Sequence, residues 1–233
     1  MTEENRSRRL SFDGKYIQAS LVETVRDYDA NGVVTNLSNE AMIVDGGVSA
    51  VVPPWKSTIL RGGTIARAER VSIVDVPDAT NLGGIMFDGW DWFGNRLAEF
   101  PRTTPLFISK HDVVGQVALN PWRFSNHPEP RDETVHYDIQ LNLWWAPAKT
   151  DAVIHNTHSF LEIHTQIFGL GRIQIFHDQA GENLYREIST APGDTHDPIV
   201  RVADTRHYTY PWHRGWTDED CVWMAIELHP KTA

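Results

Sequence analysis

HNTHSFLEIHTQIFG, from His155 to Gly169, is the stretch that decides how this chain folds. Between Leu161 and Ile167, apolar Leu161, Ile163 and Ile167 alternate with polar Glu162, His164 and Gln166, and Thr165 is the one polar residue in the apolar set. A period of two marks a strand, whose successive side chains point to opposite faces. Glu162, His164 and Gln166 are therefore expected on one face, with Ile163 and Ile167 on the packing face. A helix would instead align His155, His158 and Glu162 at spacings of three and four. The β-branched Ile163, Thr165 and Ile167 and the breaks at Gly169 and Gly171 favour the strand.

A polar strand face ordinarily meets water. The segment APGDTH, from Ala191 to His196, points to chemistry instead. Its tight turn at Pro192 and Gly193 uses the backbone freedom of glycine and aims His196 back across the sheet. His158, Glu162 and His196 together offer two imidazoles and a carboxylate, a set that holds a divalent metal with positions open for substrate.

Working outward, the N-terminal half carries short β-type runs at YIQASLVETV, AMIVDGGVSAVV and RVSIVDV, parted by turn signals at DANG, PPWKS and RGG. Residues 77–104 hold Gly, Pro and aromatics without clean periodicity and are expected to be a linker or a long ordered loop packed through Trp90, Trp92 and Phe93. Further strands are expected at PLFIS, VVGQVAL, VHYDIQLNLWWA, FLEIHTQIF, GRIQIFHD, NLYREIST and CVWMAIEL. This spacing suits an antiparallel barrel or sandwich rather than alternating βα units. The chain is expected to be all-β, with a β-rich region at 1–104 and a barrel at 105–233.

His158, Glu162 and Gly169, followed by Pro192, Gly193 and His196, resemble the two motifs of the cupin superfamily. The first motif runs His-x-His, three or four residues, Glu, six residues, Gly; the second runs Pro-Gly-x-x-His. With His158 as the second histidine, Asn156 stands in the first place; with His155 as the first, Thr157 stands in the second. The resemblance covers residues 135–229 and implies a jelly-roll barrel with the Glu162, His164, Gln166 face turned inward. It leaves open whether His155 or His164 completes the ligand set, whether two histidines and one carboxylate suffice, or whether no metal binds. It implies that residues 1–104 are a degenerate second cupin, a sheet extension or a dimerisation arm, and that the chain forms a homodimer.

At 233 residues, with 41% hydrophobic residues and nine Trp, the chain can bury a large core. Acidic residues outnumber basic ones by 31 to 21, and apart from Arg6, Arg8 and Arg9 the basic residues are scattered, so no cationic face for nucleic acid is expected. No run approaches the roughly 20 apolar residues of a membrane span, and the N-terminal MTEENRSRRLSFDGKY lacks the apolar core of a secretory signal. A cytoplasmic protein is expected. Cys221 is the one cysteine, which rules out an internal disulfide; it opens an apolar strand beside Asp218, Glu219 and Asp220, which disfavour a thiolate. Phosphate-binding loops, CxxC pairs and GxSxG elbows are missing from the sequence.

No histidine precedes His111, so the polar chemistry belongs to the second half. His164 and His213 are the candidate general acids or bases, imidazole titrating near neutral pH. Gln166, Arg172 and Trp212 are candidates for a substrate pocket. The expected function is a metal-dependent enzyme, an oxidoreductase or isomerase, acting on a small metabolite. Fe(II) is the first expectation for the metal, with Mn(II), Ni(II), Cu(II) and Zn(II) as alternatives. The rival expectations are a metal-independent isomerase, epimerase or cyclase with a histidine base, and a non-catalytic small-molecule-binding domain.

Overall fold

The computed structural model describes residues 3–125, 131–204 and 207–231. In chain order, the N-terminal half contributes β1 (Arg6–Arg9), β2 (Gln18–Asn36), β3 (Met42–Asp45), β4 (Ala50–Val52) and β5 (Ser57–Asp75). Then follow β6 (Asp91–Trp92), β7 (Phe107–Ile108), β8 (Asp112–Leu119), β9 (Val135–Ala146), β10 (Leu161–Phe168) and β11 (Gly171–Phe176). The last strands are β12 (Leu184–Thr190), β13 (Thr195–His196), β14 (Arg201–Val202), β15 (Tyr208–Thr209), β16 (Trp212–Thr217) and β17 (Cys221–Pro230). Among the described residues the only helical turns are 3₁₀ segments at Ala79–Phe87, Phe93–Asn95 and Pro121–Phe124. The protein is all-β, as its periodicity predicts.

The N-terminal half is organised by β2 and β5, two strands of 19 residues paired along their whole length. This ribbon coils back on itself, so Val33–Asn36 meets one stretch of β5 at Ser57–Ile59 and another at Val71–Val74. Alternation splits its side chains between two cores. Leu21, Val33 and Val74 face the C-terminal half, while Val22, Val34 and Ile73 close a separate core within the coil. DANG and RGG, turn signals in the sequence, lie inside these strands as register irregularities. Long-range pairing overrides local turn chemistry there. Gly32 makes the coil possible: it takes a φ of +119°, and a Cβ would fall 2.6 Å from the Val74 carbonyl oxygen. PPWKS does supply the connection into β5, with Trp55 fully buried.

The C-terminal half has a seven-stranded sheet in the order β13-β10-β17-β9-β7-β6, with β8 also pairing with β9, and a three-stranded sheet β12-β11-β16. On one face of the larger sheet, Leu161, Ile163, Ile226, Leu228, Ile139 and Leu141 are wholly buried against the N-terminal half. Each such side chain contributes roughly 1.5–3 kcal/mol of burial. The other face is polar and looks across a narrow cavity at the smaller sheet. The 77–104 segment is ordered and packed: Trp90 joins the main core, and the Phe93 ring meets Trp144 edge-on at 4.8 Å.

Gly169 ends β10 at a φ of +72°, and a Cβ there would lie 2.0 Å from the Asp220 carbonyl oxygen. Gly169→Ala therefore combines left-handed strain with a backbone clash and is expected to cost more than about 2 kcal/mol in urea unfolding.

Candidate metal centre

The polar face of the large sheet is built in cross-strand rows. Glu162, Glu227 and Gln140 form one row, His196, His164, Ala225 and Asn142 the next, and Gln166, Trp223 and Trp144 the third. Glu162, His164 and Gln166 share this face as the alternation predicts, with Ile163 and Ile167 buried on the other side.

Just before β10 the chain crosses to the smaller sheet. His155 and His213 sit directly opposite each other, each backbone N–H donating to the other's carbonyl at 2.9 Å. Val153, at a φ of +67°, is held by its N–H donating to Asp151 Oδ1 at 2.9 Å, and this kink delivers His155 to the bridge. His158 then lies 5.2 Å from His213, ring centre to ring centre. Tyr210 fixes the turn that follows: its hydroxyl donates to the Phe160 carbonyl at 3.0 Å and accepts from the Glu162 N–H at 2.9 Å. The spacing between His158 and Glu162 is thus set by a side chain far along the sequence.

His155, His158 and His213 offer ligand atoms that all lie within 4.8 Å of one another. Nδ1 of His155 is 3.0 Å from the Val153 carbonyl and Nδ1 of His213 is 2.9 Å from the Pro211 carbonyl. A carbonyl only accepts, so in the neutral rings both protons sit on Nδ1 and both Nε2 atoms carry bare lone pairs. His158 Nδ1 lies 3.7 Å from Glu162 Oε2, beyond hydrogen-bond reach, so that contact does not fix which nitrogen of His158 carries the proton. The Nε2 atoms of His158 and His213 are 3.3 Å apart. Either the His158 Nε2–H donates to the His213 lone pair, or one cation takes a lone pair from each ring. Nitrogens about 2.05 Å from one ion at a tetrahedral angle stand about 3.3 Å apart, the separation of His158 and His213 Nε2, so the chemistry and spacing of this pair fit a metal with His155 close by.

Glu162 joins this centre to the next row. Its Oε1 is 3.3 Å from His164 Nε2 and its Oε2 faces His158. Burial opposes its charge, but the surrounding imidazoles, His164 first, outweigh burial and hold the carboxyl below the usual range. Burial, with help from His155, pushes His213 down to about 3; burial and His164 push His196 down to about 4.

The structure thus divides the sequence-derived candidates. His155, His158 and His213 converge, with Glu162 alongside. His196, expected as a ligand, instead pairs across strands with His164, its ring 5.1 Å from that of His164. The Pro192–Gly193 turn does send it back across the sheet, Gly193 N–H donating to the Gln166 carbonyl at 2.9 Å, but onto β10 rather than into the triad. Gln166 is buried and spends its amide on the Phe168 and Gly169 carbonyls. Of the residues expected in a pocket, Gln166 and Arg172 line the narrow cavity beside His164 and His196, and Trp212 lies outside it. The phase of β11 and β16 buries Ile173, Ile175 and His213, and Arg172 pairs with Asp218. Cys221 is buried, and burial pushes its thiol up to about 12. No spacing rule marked His213 as a partner of His155, because a bridge between distant segments joins them.

No protein-family model and no curated protein matches the sequence. Among solved structures, the chain is similar to a cupin 2 conserved barrel domain protein from Leptotrichia buccalis, at 10% identity and a TM-score of 0.30, over 98% of this chain and 91% of that one. It is also similar to a mutant form of Bacillus subtilis oxalate decarboxylase, at 13% identity and a TM-score of 0.30, over 100% and 75% of the two chains. The DMSP lyase DddQ from Ruegeria pomeroyi DSS-3 is similar at 16% identity and a TM-score of 0.32, over 65% and 62%.

Metal-free protein should lose stability as pH falls from about 6.5 toward 4. In that window the unfolded chain protonates His196 and His213 while the folded chain keeps them neutral, so acid favours unfolding. The loss is on the order of 3 kcal/mol for each histidine, read as urea midpoints across that range.

Proposed function

We propose that the chain is a metal-dependent enzyme acting on a small molecule, with a divalent ion held by His155, His158 and His213. The observation that carries this reading is the convergence of three imidazoles, two of which, His155 and His213, have their Nε2 lone pairs freed by backbone carbonyls. An imidazole set suits Fe(II), Ni(II), Cu(II) or Zn(II) better than Mn(II). When bound, such an ion supplies Lewis acidity and open positions for a substrate oxygen.

The chain's own residues supply the rest. His164, its Nε2 turned to the Glu162 carboxylate at 3.3 Å, is the group placed to take a proton from substrate through Nδ1, and the ionised Glu162 orients it and supports the imidazolium. Trp144 and Trp223, stacked with ring centres 6.4 Å apart, form an apolar wall on the same face. An oxidation or a rearrangement of a small metabolite fits this arrangement. A metal-independent isomerase would rest on the Glu162–His164 contact alone, and activity that survives chelation would identify it.

Elemental analysis of tag-free protein should find close to one metal ion per chain in the wild type. His155→Ala, His158→Ala and His213→Ala should each lose it, while His196→Ala should keep it. Glu162→Gln should weaken affinity by about 10- to 100-fold, the usual effect of removing a carboxylate behind a ligand histidine. Metal lost in His196→Ala but kept in His213→Ala would overturn the ligand set.

Tyr210→Phe should remain folded and bind metal more weakly, because the hydroxyl that joins Phe160 to Glu162 is gone. Equilibrium dialysis against the wild type measures the difference.

A further inference from the structure

Three buried side-chain atoms without a hydrogen-bond partner fall on one row of the polar face: His164 Nδ1, His196 Nε2 and Asn142 Oδ1. Chemistry fixes the orientation of each. His164 turns Nε2 to the Glu162 carboxylate at 3.3 Å, His196 turns Nδ1 to the Asp197 carbonyl at 2.9 Å, and Asn142 gives its amide nitrogen to Glu227 Oε1 at 2.6 Å. All three partners accept and cannot donate, so in the neutral rings the exposed lone pairs of the row are acceptors. Leaving such atoms buried and unpaired costs about 1–3 kcal/mol each, and three on one row imply a missing donor.

The surroundings say what kind of donor. Ala225 stands between His164 and Asn142 in register, so little side chain fills the row. A cavity of about 20 Å³ lies against His164, His196, Gln166 and Trp223. One small group fits, since a single water needs roughly 10–15 Å³. The adjacent row presents two acids, the buried Glu227 and the partly buried Glu162, and the Trp223 ring adds a face that attracts cations. The Arg172 guanidinium also lines the cavity but is engaged by Asp218 and Glu187, so the unpartnered atoms left there are acceptors, and a positive group bearing N–H bonds meets what it needs.

We infer that the His196–His164 end of this row is a binding subsite for a primary ammonium group, the amino end of a small amine or amino acid. The ammonium donates to His164 Nδ1 and His196 Nε2, the two unpartnered atoms whose residues line the cavity. The subsite lies on the far side of Glu162 from the histidine triad and does not require the triad to hold a metal.

The test is histidine ¹⁵N NMR of the full chain titrated with methylammonium chloride, with tetramethylammonium chloride at equal ionic strength as the cation lacking N–H bonds. The inference expects saturable shifts at His164 Nδ1 and His196 Nε2 with methylammonium and none with tetramethylammonium. In His196→Ala the remaining His164 response should weaken about tenfold, the loss of one hydrogen bond from a charged donor. The comparison of the two cations needs no variant. The response should persist in His213→Ala, which removes the proposed metal centre, so the two readings fail separately. Equal shifts with both cations, or no shift because water keeps the cavity, overturn the inference. So does stoichiometric Zn(II) kept by His213→Ala and lost by His196→Ala, which would make the row a metal site.

Discussion

The structure depends on one sheet having two opposite characters. Along β10, β17 and β9, alternate residues either disappear into the core shared with the coiled N-terminal ribbon or stand on the polar face. A slip of one residue in any of these strands would exchange the two sets, burying Glu162 and Glu227 in hydrocarbon and turning Ile163 and Ile226 toward the site. Wholly buried aliphatic residues on the core face forbid that slip. The same packing that stabilises the fold therefore fixes the polar groups to within a side-chain rotamer.

Having been fixed, those groups have to be satisfied, and their partners determine the chemistry. Backbone carbonyls at Val153 and Pro211 take the Nδ1 protons of His155 and His213, and the Asp197 carbonyl does the same for His196. Glu162 and Glu227 draw the remaining donors toward themselves. What is left over are the lone pairs of His155, His213, His164 and His196. They separate into a pair that converges with His158 and suits a metal and a pair on one row suited to a small N–H donor, with the Glu162 carboxylate between them.

The cost of this arrangement is carried by the rest of the molecule. Keeping imidazoles neutral and acids ionised without water opposes folding. The offset comes from the doubled hydrophobic core, one part inside the coiled ribbon and one between ribbon and sheet. The aromatic packing of Phe93, Phe100, Trp144 and Trp223 closes the end of the polar face beside Gln166.

By itself the sequence determined the all-β class, the strand at Leu161–Phe168 and the face shared by Glu162, His164 and Gln166, because strand alternation is a local rule written in consecutive residues. It also placed the chemistry in the histidine-rich half and singled out His155 and His158. The unbroken length of β2 and β5 was hidden, since DANG and RGG carry local turn chemistry that pairing at long range overrides. Only the tertiary structure decided that His213 joins His155 and His158 while His196 turns to His164, and that Arg172 but not Trp212 lines the cavity beside them. Those outcomes depend on which distant strands meet and in what phase, and neither spacing nor composition encodes a register between segments that touch only after the sheets have closed.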